Sequence, residues 1–307
     1  MTGPTAGVQA RLADVAGTCE EKLKKAPFVE ALPRLGPHAE PAAAFALLQN
    51  IPVHPPTGKE IRDLCCSVFE LQAEPLIERT LLLLASLHAS KLVPTLPIAD
   101  SVKRLYAQEF EFFADPPERW VPHFACNDVR FREMARIATL RRFPAGQFHW
   151  EISGLPRSWI LKTRDPWRLI EIVKMGGFSP LFELHLNARR KNRLILLETE
   201  ANLSYYRAAQ SIRLQPGARG LMLASWFFCK STAQVTPHLA WLREGLKNNG
   251  ALLLDLGLAP PDSGFLTGSE ERRMLYQEGK YQPQTVCVVW PRKQLLRWAD
   301  EHPGLAE

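Results

Sequence analysis

Apolar residues in the first 140 positions recur at intervals of three and four, the spacing of one face of an α-helix. This spacing predicts helices over residues 1–26, 75–90 and 101–113, with a further helix that starts at Asn127 or Asp128. Recurrent proline between residues 27 and 56 leaves room only for a short helix at about 42–50. The N-terminal half is therefore predicted to be a helical bundle.

The pattern changes near residue 143, where short apolar runs begin to alternate with helical segments. Asp165-Pro166 is typical of a helix start, with Asp as the cap and Pro in the first turn. Strands are predicted at residues 182–186, 193–197, 220–228, 251–256 and 285–290, with helices between them. The predicted fold class is α+β or α/β: a helical domain over residues 1–142, followed by a mixed-sheet α/β domain over 143–307.

Composition is that of a globular protein, with 46% hydrophobic and 23% charged residues. The most apolar run, Leu81 to Leu87, is much shorter than the ~20 residues of a membrane span, so no membrane partner is expected. The first 25 residues have no apolar stretch of the kind found in a signal peptide. Six cysteines without a CxxC pair indicate a cytoplasmic chain with reduced thiols and no cysteine-based zinc site.

Positive charge is concentrated in the middle of the chain. Residues 119–219 hold 18 Lys and Arg against 8 Asp and Glu, whereas residues 1–118 hold 11 against 15. Most of these cations are arginines, whose planar forks suit phosphate and carboxylate groups. The excess indicates an acidic partner, such as a cofactor diphosphate or an acidic carrier protein, or simply a solvated basic face. We do not expect nucleic acid, since no known nucleic-acid motif accompanies the arginines.

A motif near the C-terminus carries the function prediction. The predicted helix 269–278 contains Leu275-Tyr276, is followed by Gly279 and Tyr281, and lies between two predicted strands. This arrangement over residues 218–290 resembles the end of a GNAT-superfamily N-acyltransferase domain. The resemblance implies a GNAT-like fold for the second half, an acyl-thioester donor, and a role for Tyr276 as the acid that protonates the departing thiolate.

The chain departs from that family at the loop that holds the donor's diphosphate. The family uses a Gln/Arg-x-x-Gly-x-Gly/Ala loop, whereas residues 230–238 contain no glycine. Arg219, Ser231 and Thr232 are the candidate donor-binding residues here. Two donors therefore stay open, an acyl-CoA or an acyl-carrier-protein thioester, and the second suits the basic middle segment.

A general base for an amine acceptor is sought among polar residues near the predicted strands. Glu183 and His185 lie two positions apart and so share a strand face, and His238 is a third candidate base. His149 and Glu151 repeat the alternation, which leaves a two-His, one-carboxylate metal site as an alternative to hydrogen-bonded structural histidines. We expect no metal.

Trp226 and Phe228, at the end of the predicted central strand, are candidates to line an apolar acyl pocket. The leading hypothesis is an acyltransferase that moves an acyl group from the thioester to a small-molecule amine. The alternative is a non-catalytic protein that docks an acidic macromolecule through its arginine-rich segment. A third hypothesis is a metal-dependent oxygenase whose iron is held by four residues: His149, Glu151, Glu183 and His185.

Overall fold

The computed structural model describes residues 4–51, 75–115, 129–163, 165–187, 196–267 and 269–306. These residues divide into two compact units, one formed by residues up to Pro144 and the other by residues from Ala145 onward.

The first unit is helical, as predicted. Its helices are α1 (Pro4–Leu23), α2 (Phe28–Ala31), α3 (Pro41–Gln49), α4 (Pro75–Leu92), α5 (Asp100–Ala114) and α6 (Val129–Ala138). Two 3-10 segments, Leu32–Ala39 and Val93–Thr95, join α2 to α3 and follow α4. Asn127 and Asp128, the predicted start of the last of these helices, lie outside the described residues.

Helix α4 is the core of this unit. It is apolar on nearly every side, and Leu81 through Leu84 are each no more than 3% exposed. Thr80 and Ser86 are also buried on this helix, and their hydroxyls keep hydrogen-bond partners there. Thr80 donates to the Leu76 carbonyl at 2.7 Å, and Ser86 donates to the Leu82 carbonyl at 2.8 Å. Helices α1, α3, α5 and α6 pack around α4.

The second unit contains a mixed sheet with helices on both faces. Its strands are β2 (Phe148–Ser153), β3 (Leu181–Leu186), β4 (Gly220–Ser225), β5 (Leu252–Leu258) and β6 (Gln284–Pro291), in the order β2-β3-β4-β6-β5. The two-residue strand β1 (Phe143–Pro144) is the end of the first unit. Strand β3 is antiparallel to β2 and parallel to β4, and β6 is antiparallel to both β4 and β5. The predicted fold class, a helical half followed by a mixed-sheet half, is confirmed.

Helices α7 (Arg157–Lys162), α8 (Pro166–Lys174), α9 (Glu198–Arg213), α10 (Lys230–Val235), α11 (Ala240–Asn248), α12 (Glu270–Gln277) and α13 (Arg292–Glu301) connect or flank the strands. Trp159 of α7 and Ile172 of α8 pack on one face of the sheet, against an apolar cluster that includes Met222, Leu254 and Val289. On the other face, Tyr205 of α9 and Trp298 of α13 meet the ring of Trp290.

The structure differs from the sequence prediction at two element boundaries and in one additional strand. The strand predicted to run to Phe228 ends at Ser225, because the Ser225 hydroxyl accepts from the amide of Phe227 and turns the chain into a 3-10 segment, Trp226–Phe228. A strand is predicted over residues 193–197, and residues 193–195 lie outside the described part of the chain. Helix α9 begins immediately after the end of this predicted strand, at Glu198. Strand β2 was indicated only by the alternation of His149 and Glu151.

Candidate active site

The carboxyl ends of β3 and β4 form an opening in the sheet. The parallel ladder between them covers two residue pairs, the last of which joins Glu183 to Met222. Both strands continue, to Leu186 and Ser225, and each stays paired with its other neighbour over that length. Three residues of each strand therefore face the opening without a shared ladder. Ligands of open α/β sheets bind at the carboxyl ends of strands, and a strand edge can accept an extended ligand.

One wall of this opening carries an imidazole between two carboxylates. The register of β2 with β3 places Glu151 opposite Glu183, on the same face as His185. The His185 Nε2 atom lies 4.0 Å from a carboxylate oxygen of Glu151 and 3.9 Å from one of Glu183. The second Glu183 oxygen accepts a hydrogen bond from the Ser153 hydroxyl at 2.8 Å. The two distances from His185 are ion-pair distances beyond hydrogen-bond reach, and an imidazole in this position can act as a proton acceptor.

The same register brings His149 opposite His185, so all four polar residues of the alternation lie together on β2 and β3. His149 and Glu151 are buried, and His185 is the more accessible histidine, with 30% of its side chain exposed. No group of three or more His, Cys, Asp or Glu within the described residues is placed to hold a metal ion.

An aromatic cluster forms the end of the other wall. Trp226, Phe265 and Tyr281 are buried, and Tyr276 packs beside them. The ring of Phe265 lies 5.2 Å from that of Tyr276 and 6.4 Å from that of Trp226, in edge-to-face contacts. Phe265 therefore links Tyr276 to Trp226, the residue that follows β4, although the helix of Tyr276 lies between β5 and β6 in the sequence.

Arg272 holds the segment before α12 against this cluster. Its guanidinium lies 5.1 Å from the ring centroid of Trp226. Its Nε and Nη2 atoms donate to the carbonyls of Phe265 and Thr267 at 2.7 and 2.9 Å. Partial burial lowers the pKa of Arg272 from its ordinary value, but an arginine remains protonated at neutral pH. The cation thus fixes the position of the loop that presents Tyr276.

Thr232 contacts two members of the aromatic cluster, Trp226 and Tyr281. It is fully buried, its hydroxyl donates to the Trp226 carbonyl at 2.9 Å, and it lies 3.0 Å from the Tyr281 hydroxyl. Burial raises the pKa of Tyr281. Ser231 is more accessible than Thr232, and its hydroxyl contacts the Cys229 sulfur at 3.1 Å. Of these two candidate donor-binding hydroxyls, that of Thr232 is already engaged within the protein.

Three predicted site residues remain: Arg219 and His238, which lie away from the two groups above, and Phe228. Arg219 is exposed at the start of β4, six strand residues or about 20 Å from its carboxyl end. His238 is exposed on a 3-10 turn, Pro237–Leu239, that packs on α10 and α11. Phe228 is buried next to Trp226, and its carbonyl accepts from Arg243. The fold therefore groups Glu183 with His185 and Trp226 with Tyr276, and it does not bring Arg219 to them.

Phe265 and Arg272 were missed by the sequence reasoning. Phe265 lies in an irregular segment between β5 and α12, where no periodicity marks a core position. Arg272 is preceded by Ser269, whose hydroxyl caps α12 by accepting from the Arg272 amide at 3.2 Å. That cap was detectable, but a charged residue in a first helical turn ordinarily points to solvent.

No protein-family model and no curated protein matches the chain. Among solved structures, an acyltransferase in complex with decanoyl-CoA is similar with a TM-score of 0.48 and 14% identity, over 88% of this chain and 86% of that one. An acyltransferase in complex with decanoyl-CoA and teicoplanin has a TM-score of 0.37 and 13% identity, over 82% of this chain and 100% of that one. Likeness of this degree does not establish an activity for the chain.

Proposed function

We propose that the protein is an N-acyltransferase that moves an acyl group from a thioester donor to an amine. The observation that carries this proposal is the opening beyond Glu183 and Met222, where two parallel strands lose their ladder. Coenzyme A and carrier proteins present their acyl group on the same pantetheine arm, an extended chain with amide groups. Such an arm can bind between strand edges as an added strand would, through backbone hydrogen bonds.

The two walls then supply the proton transfers. The acceptor nitrogen attacks the thioester carbonyl, its proton passes to His185 or Glu183, and the carbon–sulfur bond breaks. Tyr276 gives its proton to the departing thiolate, as the sequence resemblance implies. Neither step needs a covalent enzyme intermediate, so proximity of donor and acceptor in one complex supplies much of the rate enhancement.

The aromatic side chains at the end of β4 suit the acyl group. Trp226 and Phe228 lie on the 3-10 segment that follows the last strand residue. Trp226 is held by Arg272 and by a hydrogen bond from its Nε1 to the Ser263 carbonyl at 3.2 Å. We place the first atoms of the acyl chain against this turn. Of the predicted hydroxyl pair, Ser231 is the more accessible, and we assign it as the candidate contact for a donor phosphate.

The alternative, an arginine-rich surface that docks an acidic macromolecule, is less well supported. Arg136, Arg142 and Arg207 are each no more than 8% exposed. Arg142 forms an ion pair with Glu133 at 3.0 Å, and Arg207 donates to the Ala145 carbonyl at 2.9 Å. These arginines make their contacts inside their own units. The side chains of Arg130, Arg189, Arg190 and Arg193 lie outside the described part.

The first test is a thermal-shift titration of the full chain with acetyl-CoA, longer acyl-CoAs and free coenzyme A. A ligand at about 100 times its Kd adds roughly 2.7 kcal/mol to stability. In a unit of this size each kcal/mol raises the Tm by about 2–4 °C. A saturable shift followed by amine-dependent release of free thiol, detected with a thiol reagent, is the expected result.

The same titration with acyl-carrier proteins distinguishes the two donors. A shift with a carrier protein alone would assign the donor to that class. Absence of a shift with every thioester, together with no thiol release from any amine mixture, would overturn the acyltransferase proposal. Salt-sensitive binding to acidic macromolecules, unchanged in a Tyr276→Phe variant, would then favour the docking function.

A further inference from the structure

Helix α8 has two apolar faces. Ile172 is 2% exposed and packs on the sheet. Trp167, Ile170 and Val173 lie three residues apart, so they form a stripe along a different side, and they are 74%, 42% and 56% exposed. A surface helix ordinarily has one apolar stripe, which is buried, and a polar opposite side.

The preceding helix repeats this feature. Trp159 and Ile160 of α7 pack on the core cluster, whereas Leu161 between them and α8 is 85% exposed. We define the α7–α8 surface by four residues: Leu161, Trp167, Ile170 and Val173. Single exposed apolar residues are common in soluble proteins, but a concentration on one short helical hairpin indicates an interaction surface.

The charges beside this surface are positive and largely uncompensated. Arg157, Lys162 and Lys174 are exposed, and no carboxylate of the described residues forms an ion pair with them. The fourth cation, Arg168, is paired with Glu171 at 2.9 Å and lies 3.7 Å from Asp165. A second copy of the same surface would be repelled by these charges, whereas an anionic surface would be attracted.

We propose that the α7–α8 surface binds peripherally to a membrane that contains anionic lipid. Exposed Trp and aliphatic side chains flanked by Lys and Arg are the composition of a helix that lies in the headgroup region. The cations would meet the lipid phosphates while Trp167 inserts at the level of the glycerol groups. None of the described helices is long and apolar enough to cross a membrane, so the contact is with one leaflet.

The sequence prediction of no membrane partner considered only spanning segments, and the exposure of the stripe is visible only in the fold. The inference does not depend on acyl transfer, because the α7–α8 surface contains none of the residues placed at the opening.

Co-sedimentation of the full chain with vesicles tests the proposal. Vesicles of phosphatidylcholine alone are compared with vesicles of phosphatidylcholine and phosphatidylglycerol. We expect binding to the second kind only, weakened by salt, and at least about tenfold weaker in Trp167→Ser/Val173→Ser, since each removes apolar area from the interface. Leu214→Ser/Leu258→Ser removes two side chains that are exposed elsewhere, by 52% and 69%, and should bind like the unmodified protein.

Fluorescence quenching by brominated lipid is a second measurement, and it tests whether Trp167 enters the bilayer in a protein that still binds. Brominated phosphatidylcholine in anionic vesicles should quench part of the tryptophan fluorescence, and Trp167→Phe should remove that part while binding persists. Each variant is first checked for an unchanged Tm. Failure to bind anionic vesicles, or equal binding of Trp167→Ser/Val173→Ser, would overturn the proposal. A dimer that dissociates in that variant, without vesicle binding, would assign the surface to a second copy instead.

Discussion

Tyr276 is the residue on which the proposed chemistry depends most. It contacts Phe265 through its ring, so removal of the hydroxyl leaves the packing of the aromatic cluster in place. We expect Tyr276→Phe to lower kcat by about 100-fold or more, as general acids contribute, with an unchanged Tm. Steady-state kinetics and thermal denaturation measure both quantities.

Tyr206→Phe is a suitable control for that variant, because Tyr206 is also partly buried but lies on α9, outside the cluster. Its activity should equal that of the unmodified protein. Full activity of Tyr276→Phe would remove Tyr276 from the mechanism and leave solvent to protonate the thiolate.

Thr232 should matter for stability rather than chemistry. Thr232→Val keeps the shape of the side chain but removes the hydroxyl that lies 3.0 Å from the Tyr281 hydroxyl, whereas the Trp226 carbonyl keeps its hydrogen bond from the Cys229 amide. An unsatisfied buried polar group costs about 1–3 kcal/mol, so the free energy of unfolding should fall by that amount. Urea denaturation measures it. Ser231→Ala, which loses only a sulfur contact, should change stability by less than about 0.5 kcal/mol.

At the scale of elements, Gly220 is required by the contact of β4 with β6. A Cβ atom at this position would lie 2.2 Å from the Trp290 carbonyl oxygen, and the backbone has a φ of +153°. We expect Gly220→Ala to destabilise the protein by more than about 3 kcal/mol, because a backbone atom cannot move aside as a side chain can.

Gly217 provides the matched comparison, since it lies in the same connection and an added Cβ would meet no atom within 4 Å. Gly217→Ala should leave the midpoint of chemical denaturation nearly unchanged. Equal effects of the two substitutions would mean that β4 and β6 separate more easily than their six-residue ladder indicates.

Most elements were predictable because their signals are local. The Asp165 cap of α8 is an example, for its carboxylate accepts from the amides of Trp167 and Arg168 at 3.1 and 3.3 Å, as the Asp-Pro pair indicates. The end of β4 was not predictable, because Trp226 and Phe228 continue the apolar run and only the Ser225 hydrogen bond turns the chain.

The site was harder to predict because its parts come together across the fold. Glu183 and His185 share a face by simple alternation, which the sequence shows. Their proximity to Glu151 depends on the register of β2 with β3, and the place of Tyr276 depends on Phe265. The early end of the ladder between β3 and β4 has no sequence signal, since it is a property of how two parallel strands diverge.

At the scale of the whole molecule, we propose that the boundary near residue 143 separates two domains. The second unit has its own apolar cluster on the sheet, and residues 143–307 contain all six strands. We expect residues 143–307, produced alone, to unfold in a single cooperative transition by circular dichroism, as a domain with its own core does. A fragment without a cooperative transition would show that the helical half completes the core.

The position of β6 in the sheet has a consequence for biosynthesis. Strand β6 lies between β4 and β5, although it is the last of the described strands to be translated. Until residues 284–291 have left the ribosome, β4 and β5 have no strand to join them and the sheet cannot close. The described helices of the first unit all lie within residues 4–138, so they can form while the sheet is still incomplete. Strands β2, β3 and β4 can pair with one another as they appear, whereas β5 pairs only with β6 and must wait for that last strand.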